Sequence, residues 1–120
     1  MFSGLRTVIY NVSDIDKAKK WYAGVLGIQP YFDQPYYVGF NVGGFELGLD
    51  PHIEEVSYGN NVVAYWFVED IQTAYALMLK QGALKNSDIQ DVGDGIRLGT
   101  VKDPFGNILG LIENSHFKSE

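Results

Sequence analysis

The sequence predicts an α+β fold assembled from two βαβββ modules, and three observations predict it. Val12-Ser13-Asp14-Ile15 closes one apolar strand and opens an amphipathic helix, and Val68-Glu69-Asp70-Ile71 does the same in the second half of the chain. Each helix stops at a glycine, Gly27 and Gly82. Each is then followed by short strand-like runs separated by turn residues. A unit of this size in only two copies implies one domain of two modules, because a solenoid needs more copies to bury a continuous core. Equivalent positions in the two halves are therefore the ones to compare.

Leu5 to Val12 reads as the first strand, with Val8, Tyr10 and Val12 on one face and Thr7, Ile9 and Asn11 on the other. Ser13 or Asp14 caps the first helix, and Asp16 suits its first turn. Ile15, Ala18, Tyr22, Val25 and Leu26 recur at helical spacing as its apolar stripe, before Gly27 ends it. Strands near 29–33 and 36–42 turn at Gln34-Pro35, and Gly43-Gly44 is a hairpin signal leading into Phe45 to Leu49. Residues 50–61 are polar, with proline and glycine, and read as a linker between module one (1–49) and module two (62–113).

Val62 to Val68 reads as a strand apolar on both faces, and Ile71, Ala74, Tyr75, Met78 and Leu79 as the buried side of the second helix. A strand near 88–92 turns at Asp94-Gly95 into 96–102, and Asp103-Pro104-Phe105-Gly106-Asn107 turns into 108–113. Residues 114–120 form a polar tail. One helix covers only one face of four strands, yet a strand such as Val62 to Val68 is normally buried on both sides. A cleft lined by the face away from the helices follows, covered by the other module, a second subunit or a ligand.

Composition narrows the function classes. At 120 residues, 46% hydrophobic and 20% charged, the chain fits one globular domain. The net charge of −6 argues against nucleic acid, and Lys17, Lys19 and Lys20 read as the solvated face of a helix. There is no cysteine, which excludes disulfides, thiolate metal sites and cysteine nucleophiles and fits a cytoplasmic location. No apolar run reaches membrane-spanning length, and the first residues carry no signal-peptide pattern. No phosphate-binding loop, dinucleotide fingerprint or serine triad is present.

Leu5 to Ile15 followed by Lys17 to Gly27, then Val62 to Ile71, and above all Asp103-Pro104-Phe105-Gly106-Asn107, together resemble the vicinal oxygen chelate superfamily. That superfamily includes glyoxalase I, extradiol dioxygenases, fosfomycin-resistance proteins and bleomycin-resistance proteins. The resemblance covers nearly the whole chain and implies a curved mixed sheet with a concave cleft. It also implies a divalent metal held there by His, Gln or Glu from both modules. Carried over residue by residue, the ligand positions fall on Thr7, Glu46, Val63 and Gly110. Only Glu46 is a plausible ligand, whereas such sites need about three. His52, in the linker, and His116, in the tail, fall at no ligand position. No metal and no cofactor are therefore expected.

The same strand parity predicts the cleft lining: Thr7, Ile9, Asn11, Glu46, Val63, Tyr65, Phe67, Gly110 and Ile112. This is an apolar, aromatic set with a few polar fixtures, as in small-molecule sites. Its aromatics read equally as core. Glu46 reads as a general base of raised pKa, as counter-charge for a cationic ligand, as a structural partner of Arg97, or as a solvent-facing residue. Arg97, on a strand of unfixed parity, is a further ligand-binding candidate. Tyr36 and Tyr37 are candidates for a cleft rim, and Trp21, Tyr22 and Trp66 read as core.

Two function classes follow. One is a metal-free binding protein like the bleomycin-resistance branch, sequestering a drug or metabolite in clefts of a homodimer. The other is a glyoxalase-type lyase, isomerase or dioxygenase-like enzyme, using an unusual metal site around Glu46 or metal-free acid–base chemistry. An accessory domain that only dimerises is a third possibility.

Overall fold

In a computed structural model that describes residues 1–115, the first apolar run becomes β1 (Thr7–Asn11). Asp14, rather than Ser13, caps α1 (Ile15–Leu26), its carboxylate accepting the Lys17 N–H at 3.1 Å. Gly27 ends α1 in the left-handed region, at φ 70°. β2 (Phe32–Gln34), β3 (Tyr37–Val42) and β4 (Phe45–Asp50) complete the first βαβββ unit. Its sheet runs β1-β4-β3-β2, with β1 parallel to β4 and the other pairs antiparallel. One face carries Tyr10, Val38, Phe40, Leu47 and Leu49, all buried with Ala18 and Tyr22 of α1. The other face has no helix.

The second unit repeats the plan with β5 (Ala64–Phe67), α2 (Ile71–Lys80), β6 (Leu84–Gly93), β7 (Ile96–Lys102) and β8 (Ile108–Asn114). Its sheet order is β5-β8-β7-β6, again with a parallel pair, β5 and β8. Asp70 caps α2 by accepting the Gln72 and Thr73 N–H groups. Ile71, Tyr75 and Met78 of α2 are buried with Val101, Leu109 and Leu111. The chain is thus α+β with two βαβββ modules, its mixed sheet divided four strands to each module and neither sheet closed. The two contact-defined units meet between Ser57 and Tyr58.

Several boundaries differ from the sequence reading, each for a local reason. Leu5 is exposed and precedes β1, and Val62 is exposed and precedes β5. Leu79 is exposed too, because α2 buries only the i, i+4, i+7 stripe of Ile71, Tyr75 and Met78, and Leu79 lies about 100° further round the helix. The cap residue of α2 is Gln81, with Gly82 following at φ 103°. β6 starts at Leu84, well before 88, since its polar opening is held by hydrogen bonds and not by burial. Asn86 donates to Thr100 Oγ1 at 2.9 Å, and Ser87 Oγ meets the same atom at 2.6 Å. The pairing of β6 with β7 is interrupted by register shifts at three places.

The Asp103-to-Asn107 turn is fixed by one buried carboxylate. Asp103 accepts from the Phe105 N–H at 2.9 Å, the Asn107 N–H at 2.8 Å and the Asn107 side-chain amide at 3.0 Å. Asp103→Ala strands two backbone donors, and urea denaturation is expected to show a loss of about 2–4 kcal/mol. Asp103→Asn, which keeps an acceptor for the backbone, is expected to lose less.

Candidate functional site

The helix-free face of the first unit is built by alternation. Thr7, Ile9 and Asn11 of β1, Glu46, Gly48 and Asp50 of β4, and Tyr37, Gly39 and Asn41 of β3 all point to it. Thr7 and Glu46 are direct partners in the β1–β4 ladder. The Thr7 hydroxyl accordingly donates to Glu46 Oε1 at 3.0 Å. Two strand glycines then make room for two tyrosines. A Cβ on Gly39 would meet the Tyr31 ring at 3.1–3.3 Å, and one on Gly48 would fall on the ring of Tyr37. So placed, the Tyr31 hydroxyl donates to Glu46 Oε2, and the Tyr37 hydroxyl stands near the same carboxylate.

Three neutral hydroxyls therefore converge on one carboxylate whose side chain is only 11% exposed. Arg6 adds a weaker contact at 3.7 Å from Oε1, with its own side chain 74% exposed. The Tyr31 hydrogen bond, helped by Thr7, Tyr37 and Arg6, outweighs burial and holds the Glu46 pKa below the ordinary carboxylate value. Of the readings of Glu46, the general base of raised pKa is the one these surroundings disfavour, because the hydroxyls stabilise the ionised, hydrogen-bond-accepting form. Tyr31 moves up chiefly through its bond to Glu46. Tyr37 is pushed up to about 12, first by burial and then by the Glu46 charge.

At the other end of the same face, Asp50 Oδ1 accepts the His52 N–H at 2.9 Å and lies 3.0 Å from His52 Nδ1. Asn11 donates to the His52 carbonyl at 3.0 Å. This ties the segment after β4 to β1. Ile9, also on this face, is exposed. His116 lies outside the described residues.

In the second unit, Tyr65 and Gly110 are ladder partners, as are Phe67 and Ile112, so all four share the helix-free face. Val63 sits one residue ahead of β5, half-buried. Tyr65 and Phe67 are 44% and 57% exposed, so within one chain they are not core. Arg97 is elsewhere. It pairs with Glu113 across β7 and β8, its Nε and Nη2 donating at 3.0–3.1 Å, and Glu113 also accepts the Ile71 N–H at the start of α2. That places Arg97 on the helix-covered face: it neither joins the lining nor pairs with Glu46. A recess of about 290 Å³ lies against α2 and β6, lined by Tyr75, Leu79 and the Lys85–Asp88 ion pair among others. It, too, is on the helix side.

The metal positions implied by the family resemblance do not form a metal centre. Glu46 alone offers a suitable donor, and both its oxygens already accept hydrogen bonds. Val63 has no donor, and at Gly110 a Cβ would lie 2.5 Å from the Tyr65 ring. Among the described residues, no three His, Cys, Asp or Glu side chains stand close enough to hold an ion.

Tyr31 is the site residue that strand parity missed. Its signal was in Gly39, a glycine inside a strand on the same face as Glu46, which marks the close approach of another group. Tyr37, expected at a rim, instead packs over Gly48 near Glu46.

The family model described as Glyoxalase/Bleomycin resistance protein/Dioxygenase superfamily matches residues 4–111. Solved structures of similar fold include a glyoxalase-related enzyme from Fulvimarina pelagi, at TM-score 0.78 and 15% identity over 99% of this chain and 94% of that one. Lactoylglutathione lyase from Agrobacterium tumefaciens aligns at TM-score 0.77 and 16% identity, over 100% of both chains. TioX from Micromonospora sp. ML1 aligns at TM-score 0.73 and 20% identity, over 93% of this chain and 99% of that one. No curated protein matches the chain. Among the described residues, no helix is long and apolar enough to cross a membrane.

Three outcomes follow from the site. Tyrosine titration by NMR is expected to show the Tyr31 pKa falling in Glu46→Gln, the larger part of its upward shift being lost, while Tyr37 falls only part of the way from about 12, because burial is its larger cause. In the unaltered protein, Glu46 adds stability above the ordinary carboxylate range that is lost as pH drops through its depressed value. Tyr37 adds stability below pH 10 that is lost between 10 and about 12. Dialysis against a chelator, or addition of zinc or nickel, is expected to leave the melting temperature unchanged.

Proposed function

This chain belongs to the Glyoxalase/Bleomycin resistance protein/Dioxygenase superfamily, and on that premise we propose that it is a metal-free small-molecule-binding protein. It sequesters a drug or metabolite on the helix-free faces of its modules without transforming it. The observation that carries this reading is the Glu46 arrangement, in which Thr7 and Tyr31 occupy the two oxygens of the carboxylate that the resemblance assigns to a metal. A carboxylate with a lowered pKa and engaged oxygens is a poor base and a poor metal ligand, but a good fixed charge. On the same face of module one Ile9 and Tyr31 are open to solvent, and on the helix-free face of module two so are Tyr65 and Phe67. Val63, Gly110 and Ile112 complete the proposed ligand-binding set of module two, and Asn11 that of module one.

The reading carries two further proposals. A homodimer is supported by the exposed Tyr65 and Phe67, which give a second copy something to cover. A cytoplasmic location is supported by the acidic, cysteine-free composition. The enzyme reading, a glyoxalase-type lyase or dioxygenase with a non-standard metal site, draws only on shared fold, and fold does not set function.

A thermal-shift screen of drugs and metabolites, followed by amide NMR, tests the proposal. A true ligand at a hundredfold excess over its Kd is expected to add about 2.7 kcal/mol of stability. It should move the Gly39 and Gly48 amides, and Tyr31→Ala should weaken it. A screen with no binder, or a turnover abolished by Glu46→Gln, would overturn it.

A further inference from the structure

We infer that the module-one face selects an organic cation, an alkylated or quaternary ammonium group seated on the Tyr31 and Tyr37 rings beside the Glu46 carboxylate. The inference rests on the binding reading above and names its ligand class. Three observations carry it.

The first is charge. Glu46 is ionised, and the groups that bond it closely are neutral hydroxyls, which hold the charge in place without cancelling it. The neighbouring cation, Arg6, stands at 3.7 Å, beyond hydrogen-bond reach and without the forked geometry of a strong guanidinium–carboxylate pair. Its side chain is largely in solvent, so it screens the carboxylate weakly.

The second is shape. Gly39 and Gly48 let Tyr31 and Tyr37 pack against the strands where side chains would otherwise stand. Tyr31 remains 61% exposed, so its ring is available to a ligand. Phe32 lies 6.1 Å from Tyr37 and 6.2 Å from Tyr36, ring centre to ring centre, which extends the aromatic surface beside the carboxylate. Electron-rich ring faces next to a fixed negative charge are the two elements that hold alkylated ammonium groups.

The third is hydrogen bonding. The two Glu46 oxygens are already answered by Thr7 and Tyr31, so a ligand with strong N–H donors would have to displace those bonds. A quaternary ammonium has no N–H and leaves them intact. The chain's net charge of −6 favours approach of a cation and disfavours an anion.

The test is an NMR titration of the full chain with choline and with benzyltrimethylammonium, each against its neutral isostere carrying carbon in place of nitrogen. The cations are expected to move the Gly39, Glu46 and Gly48 amides and the Tyr31 ring signals, and the isosteres to bind at least fivefold more weakly. Glu46→Gln is expected to weaken the cations about tenfold, and Tyr31→Leu about two- to fivefold. Arg6→Gln, at an exposed residue whose loss should not disturb the fold, is expected to tighten them by removing a competing cation. Equal binding of cation and isostere, or no effect of Glu46→Gln in a variant that still melts cooperatively, would overturn the cation assignment while leaving a small-molecule site. Binding of screened compounds but of neither cation would overturn it in the same way. If no screened compound binds at all, the parent reading fails as well.

Discussion

A carboxylate taken largely out of water must be answered by hydrogen bonds or it takes up a proton, and the functional face of module one is organised around that requirement. Glu46 stays charged because three hydroxyls reach it, and each reaches it through a different part of the fold. Thr7 arrives by parallel pairing of β1 with β4. Tyr37 arrives from the start of β3, across Gly48. Tyr31 is set by its own backbone, whose N–H donates to the Gly39 carbonyl at 2.9 Å. A one-residue slip of β4 would turn Glu46 under α1 and bring Leu47 out, so the electrostatics of the site and the packing of the core depend on a single register.

The two modules share a plan and differ in what they present. At the ladder pair Ile9–Gly48 module one keeps a small residue opposite an apolar one, and Tyr65–Gly110 does the same in module two. Beyond that pair they diverge. Module one adds a carboxylate and hydroxyls; module two adds Phe67 and Ile112 and keeps its strong ion pair, Arg97 with Glu113, on the helix side, where it also answers the first N–H of α2. The repeated plan thus presents two similar faces, one polar-aromatic and one apolar.

Much of this was legible in the sequence because it follows from alternation and caps. The βαβββ order, the capping aspartates Asp14 and Asp70, and the outward parity of Thr7, Ile9, Glu46, Tyr65 and Phe67 are all period-two or helix-start signals. What was not legible depends on contacts between residues far apart in sequence. Tyr31 precedes β2 and carries no pattern of its own. The direction of the Glu46 pKa shift depends on which hydroxyls arrive. Arg97 lacked a fixed parity because β6, its neighbour, is polar where it begins and interrupted in register, so nothing in the hydrophobic pattern said which way β7 faced.

Those interruptions along β6 bear on how the protein behaves at high concentration. β6 is a ten-residue strand at the margin of its sheet, long enough for its unpaired backbone groups to recruit a strand from another molecule. The register shifts break the even spacing of those groups, and Lys85, Asp88 and Asp91 put charge along the strand. An incoming strand finds no continuous ladder to join. The strand whose polar opening escaped the sequence reading is thereby the one guarded against fibre-like growth from that side.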